Sequence, residues 1–182
     1  MVCLNHPALG AGGRRFESCH LDNKLESLFY RGFFVLYIHH MKIYFAGSIR
    51  GGRDEEDVYL EIIDYLSTFG KVLTEHIGGE NIEKIEKDNS DNYIFKRDMM
   101  WLKASSALVA DVTVPSLGVG YEIGVAEKLN IPILCLYSTK SNRILSAMLS
   151  GNENLFCKEY NNINEAKQLI DEFFSSNMIE MK

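Results

Sequence analysis

The stretch from Ser105 to Gly124, SSALVADVTVPSLGVGYEIG, decides the fold. Ala107 to Ala110 is a short apolar run of the kind shown by a parallel strand buried on both faces. Asp111 ends the run, and Thr113, Pro115, Ser116, Gly118 and Gly120 supply turn chemistry. Gly124, Ala126 and Leu129 then resume helical spacing. Strand, turn and helix in that order set Glu122 in or near the first turn of the helix, at the carboxyl end of a strand. Open α/β sheets bind their ligands at that end. A helix N-terminus favours an ionised carboxylate, which suits a nucleophile or a base. The plain alternative is a glutamate that only complements the helix dipole, and this segment alone favours it.

Toward the N-terminus, Lys42 to Ala46 (KIYFA) reads as the first strand. It runs into Gly47-Ser48-Ile49-Arg50-Gly51-Gly52-Arg53. A strand, a glycine-rich loop and a helix can cradle phosphate with backbone N–H groups. Here Ser48 adds a hydroxyl, and Arg50 and Arg53 add guanidiniums that suit phosphate oxygens. The loop is neither a P-loop nor GxGxxG, so it names no nucleotide fold. Read blandly, it is a flexible connection with solvated arginines; its place after the first strand favours phosphate. Asp54 to Phe69 follows as an amphipathic helix, with acidic residues at its start and Gly70 at its stop. Lys71 to Glu75 is the second strand, and His76 lies at its carboxyl end.

Tyr93 to Ala104 is read as a helix with Ile94, Met99 or Met100, Trp101 and Leu102 as apolar contacts and Asp98 as its candidate polar residue. An aspartate on a helix is by itself usually solvated. Beyond the central stretch come a strand at Ile131 to Tyr137, a short helix within Ser141 to Leu149, and a weak strand at Phe156 to Tyr160. Asn164 to Phe174 is the closing helix, with Ala166, Leu169, Ile170 and Phe173 inward. Strands alternating with helices predict an α/β fold with a mainly parallel five-stranded sheet and helices on both faces. Three loops then open on one rim: Gly47 to Arg53, the turn around His76, and Val112 to Tyr121.

The 182 residues allow one domain with a sizeable core. Hydrophobic and charged fractions of 46% and 24% are ordinary for a soluble globular chain. A net charge of −6 argues against a broad nucleic-acid surface but not against a local phosphate pocket. The four cysteines are too few and too scattered for a disulfide framework and read as thiols of a reducing compartment. No spacing suggests a metal site. Residues 1–40 differ in character: glycines and arginines at 10–15, then an apolar run at 28–38, shorter than the roughly 20 residues of a membrane span. Arg15-Phe16-Glu17-Ser18 can be encoded by CGG-TTC-GAA-TCC, which contains the sequence of a tRNA T-arm. The expectation is therefore a leader at 1–40 that is disordered or translated upstream of the native start at Met41, a domain at 41–174 and a tail at 175–182. Mass spectrometry of the endogenous N-terminus tests it.

Five ordered blocks carry a resemblance: YFAGSIRGGR at Tyr44 to Arg53, KVLTEH at Lys71 to His76, the Asp98-x-x-Trp101-Leu102 segment, PSLGVGYEIG at Pro115 to Gly124, and RILSAM at Arg143 to Met148. Together they resemble the 2′-deoxynucleoside 5′-phosphate N-hydrolases, from Met41 to about Phe174. The resemblance implies a Rossmann-like three-layer sandwich, a homodimer, no cofactor, and hydrolysis of deoxynucleoside monophosphates to free base and deoxyribose 5-phosphate. It implies that Glu122 attacks the anomeric carbon, that Tyr44 orients it and that Asp98 is the acid/base partner. Ser48, Arg50, Ser116 and Ser146 would hold the phosphate, with Gly51 in the same loop and Ser146 reaching in from the second subunit. Gly118 would let backbone approach the ligand, Ile49, His76 and Ile94 would line the base, and Met148 would lie near the subunit contact. No nucleic-acid polymer or membrane partner is implied, and the location expected is cytoplasmic, or nuclear in a eukaryote.

Two rival functions differ in what they need. A nucleoside 2-deoxyribosyltransferase shares the nucleophilic glutamate but passes the sugar to another base; that family typically carries an acidic residue near the position of Ser116, where it would repel phosphate. A nucleotide-binding sensor needs the phosphate serines but has no use for Tyr44, Asp98 and Glu122 together.

Overall fold

The computed structural model describes residues 41–48, 56–74 and 89–180. Among them run β1 (Lys42–Ala46), α1 (Glu56–Leu66), β2 (Lys71–Val72), α2 (Asp91–Ala104), β3 (Ala107–Asp111), α3 (Leu117–Lys128), β4 (Ile133–Ser138), α4 (Ala147–Ser150), β5 (Phe156–Tyr160) and α5 (Ile163–Glu180). The five strands form one sheet in the order β2-β1-β3-β4-β5, every pair parallel. The chain leaves β1 toward β2 on one side and returns past it to β3 on the other. The strand order therefore reverses between β1 and β3, where such sheets open a crevice at their carboxyl ends.

Alternate residues of the central strands feed two cores, as a sheet covered on both faces requires. Ile43, Phe45, Val109, Leu134 and Leu136 pack with Tyr59, Ile62 and Leu66 of α1 and Ala166, Ile170 and Phe173 of α5. Tyr44, Ala46, Leu108, Ala110, Ile133 and Cys135 pack with Leu102 of α2 and Val119, Ile123 and Ala126 of α3. Register decides which core receives Tyr44: it pairs with Leu108, and both turn toward α2 and α3.

Several elements depart from their sequence patterns for identifiable reasons. The second strand stops at Val72 because Thr74 takes over its pairing with β1. The Thr74 hydroxyl accepts from Phe45 N at 2.8 Å and donates to Phe45 O at 2.7 Å. Gly70 is not a left-handed helix cap. A Cβ there would meet the Met41 carbonyl oxygen at 2.3 Å, so close backbone approach excludes a side chain. The region 141–149 is mostly turn, with only Ala147–Ser150 helical. On α2 only Leu102 is buried, and Met100 is 61% exposed. The closing helix continues past Phe174 to Glu180.

Candidate active site

Tyr44 reaches across from β1 to α3. Its hydroxyl donates to Glu122 Oε1 at 2.6 Å, joining residues 78 positions apart. Tyr44 itself is 1% exposed and Glu122 half-buried. Loss of water around Glu122 raises its carboxyl to about 7; the bond from Tyr44 opposes this rise and the nearby Asp98 charge adds to it. Burial also pushes the Tyr44 phenol far above its ordinary range, with the Glu122 charge and hydrogen bond reinforcing burial. At neutral pH the pair is thus a phenol donating to a carboxylate that is partly protonated.

The position read from the sequence, in or near the first turn, resolves to near that turn rather than in it. Helix α3 begins at Leu117, its first turn holds no acidic residue, and Glu122 stands in the second turn. The helix N-terminus is not what sets its charge, because that influence fades within the first turn. Burial dominates instead and favours the neutral form. The rim loop is correspondingly shorter than expected, ending at Ser116, whose side chain accepts from Val119 N at 3.5 Å as the N-cap of α3.

Asp98 comes from α2 and stands close enough to act electrostatically on both Tyr44 and Glu122. Arg97 Nε donates to Asp98 Oδ1 at 2.8 Å. The Arg97 guanidinium lies 4.9 Å from the ring centre of Trp101 and 5.9 Å from that of Tyr93. Aromatics one turn before and after the arginine hold it along the helix. The sequence reading passed over Arg97, although this i−4 and i+4 aromatic pair was there to find.

The rim is fixed by a polar network at the strand ends. Asp111, wholly buried, accepts from Thr113 N at 3.0 Å through Oδ1 and from the Tyr160 hydroxyl at 2.9 Å through Oδ2. Thr113 Oγ1 accepts from Ser138 N at 2.9 Å. Together these bonds tie β3, β4 and β5 at the level where the Ser116 turn begins.

Other expected site residues fall in different settings. Ser48 is buried and its N–H donates to the Tyr59 hydroxyl at 3.2 Å, which anchors the start of the first loop. Ile49, Arg50, Gly51 and His76 lie outside the described residues. Ile94 is half-buried on α2. Gly118 is exposed, and among the described residues a Cβ there would meet nothing nearer than Ser116 Oγ at 3.7 Å, so none of them demands a glycine. Ser146 precedes α4, exposed and making no side-chain capping bond. Met148 is 81% exposed. The Tyr137 hydroxyl donates to the Arg143 carbonyl, fastening the turn that leads to Ser146.

Residues 43–172 match the family described as nucleoside 2-deoxyribosyltransferase. The chain belongs to that family. Among curated relatives of the nucleoside 2-deoxyribosyltransferase family, it is 47% identical over 140 residues to a protein of Nematostella vectensis named putative 2′-deoxynucleoside 5′-phosphate N-hydrolase 1, covering 74% of this chain and 95% of that one. It is 48% identical over 111 residues to the 5-hydroxymethyl-dUMP N-hydrolase of Rattus norvegicus, covering 60% and 68%. To the Tetraodon nigroviridis protein of the same name it is 43% identical over 143 residues, covering 75% and 99%. Among solved structures, a CMP N-glycosidase of Clostridium botulinum is similar in fold, with a TM-score of 0.50 and 21% identity over 71% of this chain and 98% of that chain.

Proposed function

We propose that this chain is an N-glycosidase that hydrolyses 2′-deoxynucleoside 5′-monophosphates to free base and 2-deoxyribose 5-phosphate. The observation that carries the reading is the Tyr44–Glu122 hydrogen bond with Asp98 alongside. Two carboxylates flanking one glycosidic carbon are the parts of a retaining glycosidase. The names of the relatives point to the same bond and to phosphorylated deoxynucleosides.

Ionised Glu122 attacks the anomeric carbon as the base departs, forming a glycosyl ester. Asp98 protonates the leaving base and then takes the proton of the water that hydrolyses the ester. Tyr44 holds the carboxylate in one orientation and stabilises its charged form. Charge building at the anomeric carbon further favours ionised Glu122 once the sugar is bound. Ser48, Arg50 and Ser116 bind the 5′-phosphate, while Gly51 and Gly118 leave room for it. Ile49, His76 and Ile94 line the base side.

The same reading includes a homodimer in which Ser146 of one subunit completes the phosphate site of the other and Met148 lies at the contact. Its support is an apolar face left exposed among the described residues. Phe95 is 51% exposed on α2, Tyr121 is 55% exposed on α3 with their rings 6.1 Å apart, and Leu117 is 97% exposed. Cys135 and Cys157, free although their strands pair, support a reducing compartment such as cytoplasm or nucleus. No helix among the described residues is long and apolar enough to cross a membrane.

The deciding experiment measures free-base release from deoxynucleoside monophosphates, 5-hydroxymethyl-dUMP included, beside the matching nucleosides and ribonucleotides, with and without an acceptor base. Release from deoxymonophosphates alone, independent of acceptor, is expected. Base exchange on unphosphorylated nucleosides would establish the transferase instead, and binding without turnover a sensor.

A further inference from the structure

Cys135 of β4 and Cys157 of β5 are in-register partners on adjacent parallel strands. Their side chains turn to the same face: Cys135 belongs to the core under α2 and α3, and Cys157 packs against that core. Adjacent strands lie about 4.8 Å apart, inside the roughly 4.4–6.8 Å of Cα separation that a disulfide spans. Both thiols are free. Their access differs: β5 is the edge strand and Cys157 is half-buried, whereas Cys135 is 0% exposed. A core cysteine that serves only as a small apolar side chain needs neither a partner nor an open edge.

We propose that this pair is a peroxide-sensitive thiol couple, with Cys157 the reacting sulfur and Cys135 the resolving one. The Cys157 thiolate attacks one oxygen of hydrogen peroxide, the O–O bond breaks, and the departing hydroxide takes up a proton as water. Cys157 is then a sulfenic acid. The Cys135 sulfur attacks it, the S–O bond breaks, the S–S bond forms, and a second water leaves with the Cys135 proton. Two thiols are oxidised to one disulfide and one peroxide is reduced to two waters; a dithiol reductant reverses the change. The hydrogen bond between the thiols assists, lowering Cys157 and raising Cys135, so the accessible sulfur is the more readily ionised. Leu145 and Leu149, which flank Ser146 and Met148, pack against the same core, so the bond forms in the layer that supports that turn.

The test treats the full-length protein with equimolar hydrogen peroxide, alkylates remaining thiols, and maps non-reduced tryptic peptides. A linked pair, peptides 129–140 and 144–158, is expected, and dithiothreitol should separate it; Cys3 and Cys19 report in peptides of their own. In Cys135→Ser the reaction should stall at a Cys157 sulfenic acid that dimedone traps; Cys157→Ser should leave Cys135 alkylatable only after denaturation. Both thiols surviving peroxide, Cys157 passing to sulfinic acid without the link, or a link formed only between separately isotope-labelled chains would overturn the proposal. None of these readouts depends on the glycosidase activity.

Discussion

The Tyr44 hydroxyl and Glu122 Oε1 meet at 2.6 Å on the inner side of the β1–α3 contact, and the tyrosine delivering that bond is sealed in the core. A bond to a charged acceptor is worth about 1.5–3 kcal/mol, or roughly tenfold to a hundredfold in rate if lost in the transition state. Tyr44→Phe keeps the ring that fills the core and removes only the donor. It should lower kcat/KM by that factor with a smaller effect on substrate affinity, read in steady-state kinetics on the preferred monophosphate.

The pH dependence follows from the same pair. Glu122 attacks only when ionised, and its carboxyl stands at about 7 in the folded chain. The acidic limb of kcat/KM should therefore rise with pH and level off above about 7. The Tyr44 bond lowers Glu122, so in Tyr44→Phe the limb should move to higher pH. A limb left in place would show that another group controls it.

Stability carries the opposite sign. A carboxyl raised from 4.5 to about 7 stabilises the fold below about 4.5, and that contribution disappears as pH rises through 7. At pH 8 the ionised Glu122 opposes folding. Glu122→Gln removes the charge and keeps an acceptor for Tyr44, so it should abolish turnover yet raise stability at pH 8 by about 1–3 kcal/mol. The gain should vanish near pH 4. Urea unfolding of both proteins at the two pH values measures the difference.

Ser116 separates phosphate binding from helix capping. Its capping bond is long, at 3.5 Å, so Ser116→Ala should cost at most about 1 kcal/mol of stability. Its larger effect should be on KM for monophosphates. Ser116→Asp keeps an N-cap and adds a negative charge, so it should raise that KM further while leaving binding of unphosphorylated nucleosides almost unchanged. Equal effects on phosphorylated and unphosphorylated ligands would remove Ser116 from the phosphate site.

The exposed ring of Tyr121 gives the oligomer a test of its own. Tyr121→Glu places a charge beside Phe95 on the apolar face, where burial in an interface would be costly. Sedimentation should show a dimer for the parent chain and a monomer for the variant, with a raised KM if Ser146 acts across the contact.

The alternation of elements was legible because each central strand is an apolar run and α1 and α5 carry apolar stripes. What misled was position within elements. The turn residues from Thr113 to Gly120 read as one long loop, yet α3 starts at Leu117 and absorbs Gly118 and Gly120. Glycine marks turns in a sequence, but helical hydrogen bonds and a serine cap override that preference. Gly70 was placed correctly for the wrong reason, since its need comes from the Met41 carbonyl, which belongs to a segment far earlier in the chain. Arg97 was legible but passed over, since a helix at Tyr93 to Ala104 already sets Tyr93 and Trp101 one turn to either side of it.

By itself the sequence determined the parallel sheet and the two helical layers, while Tyr44, Asp98 and Glu122 became candidate chemistry together only through the family resemblance of its ordered blocks. Apolar periodicity and residue type are local and survive in a string of letters. Tertiary structure decided the state of those groups. Register turned Tyr44 toward α3, the second-turn position took Glu122 away from the helix dipole, and burial raised its carboxyl toward neutrality. Charge responds to the solvent removed around a group, and that removal exists only once distant segments have packed.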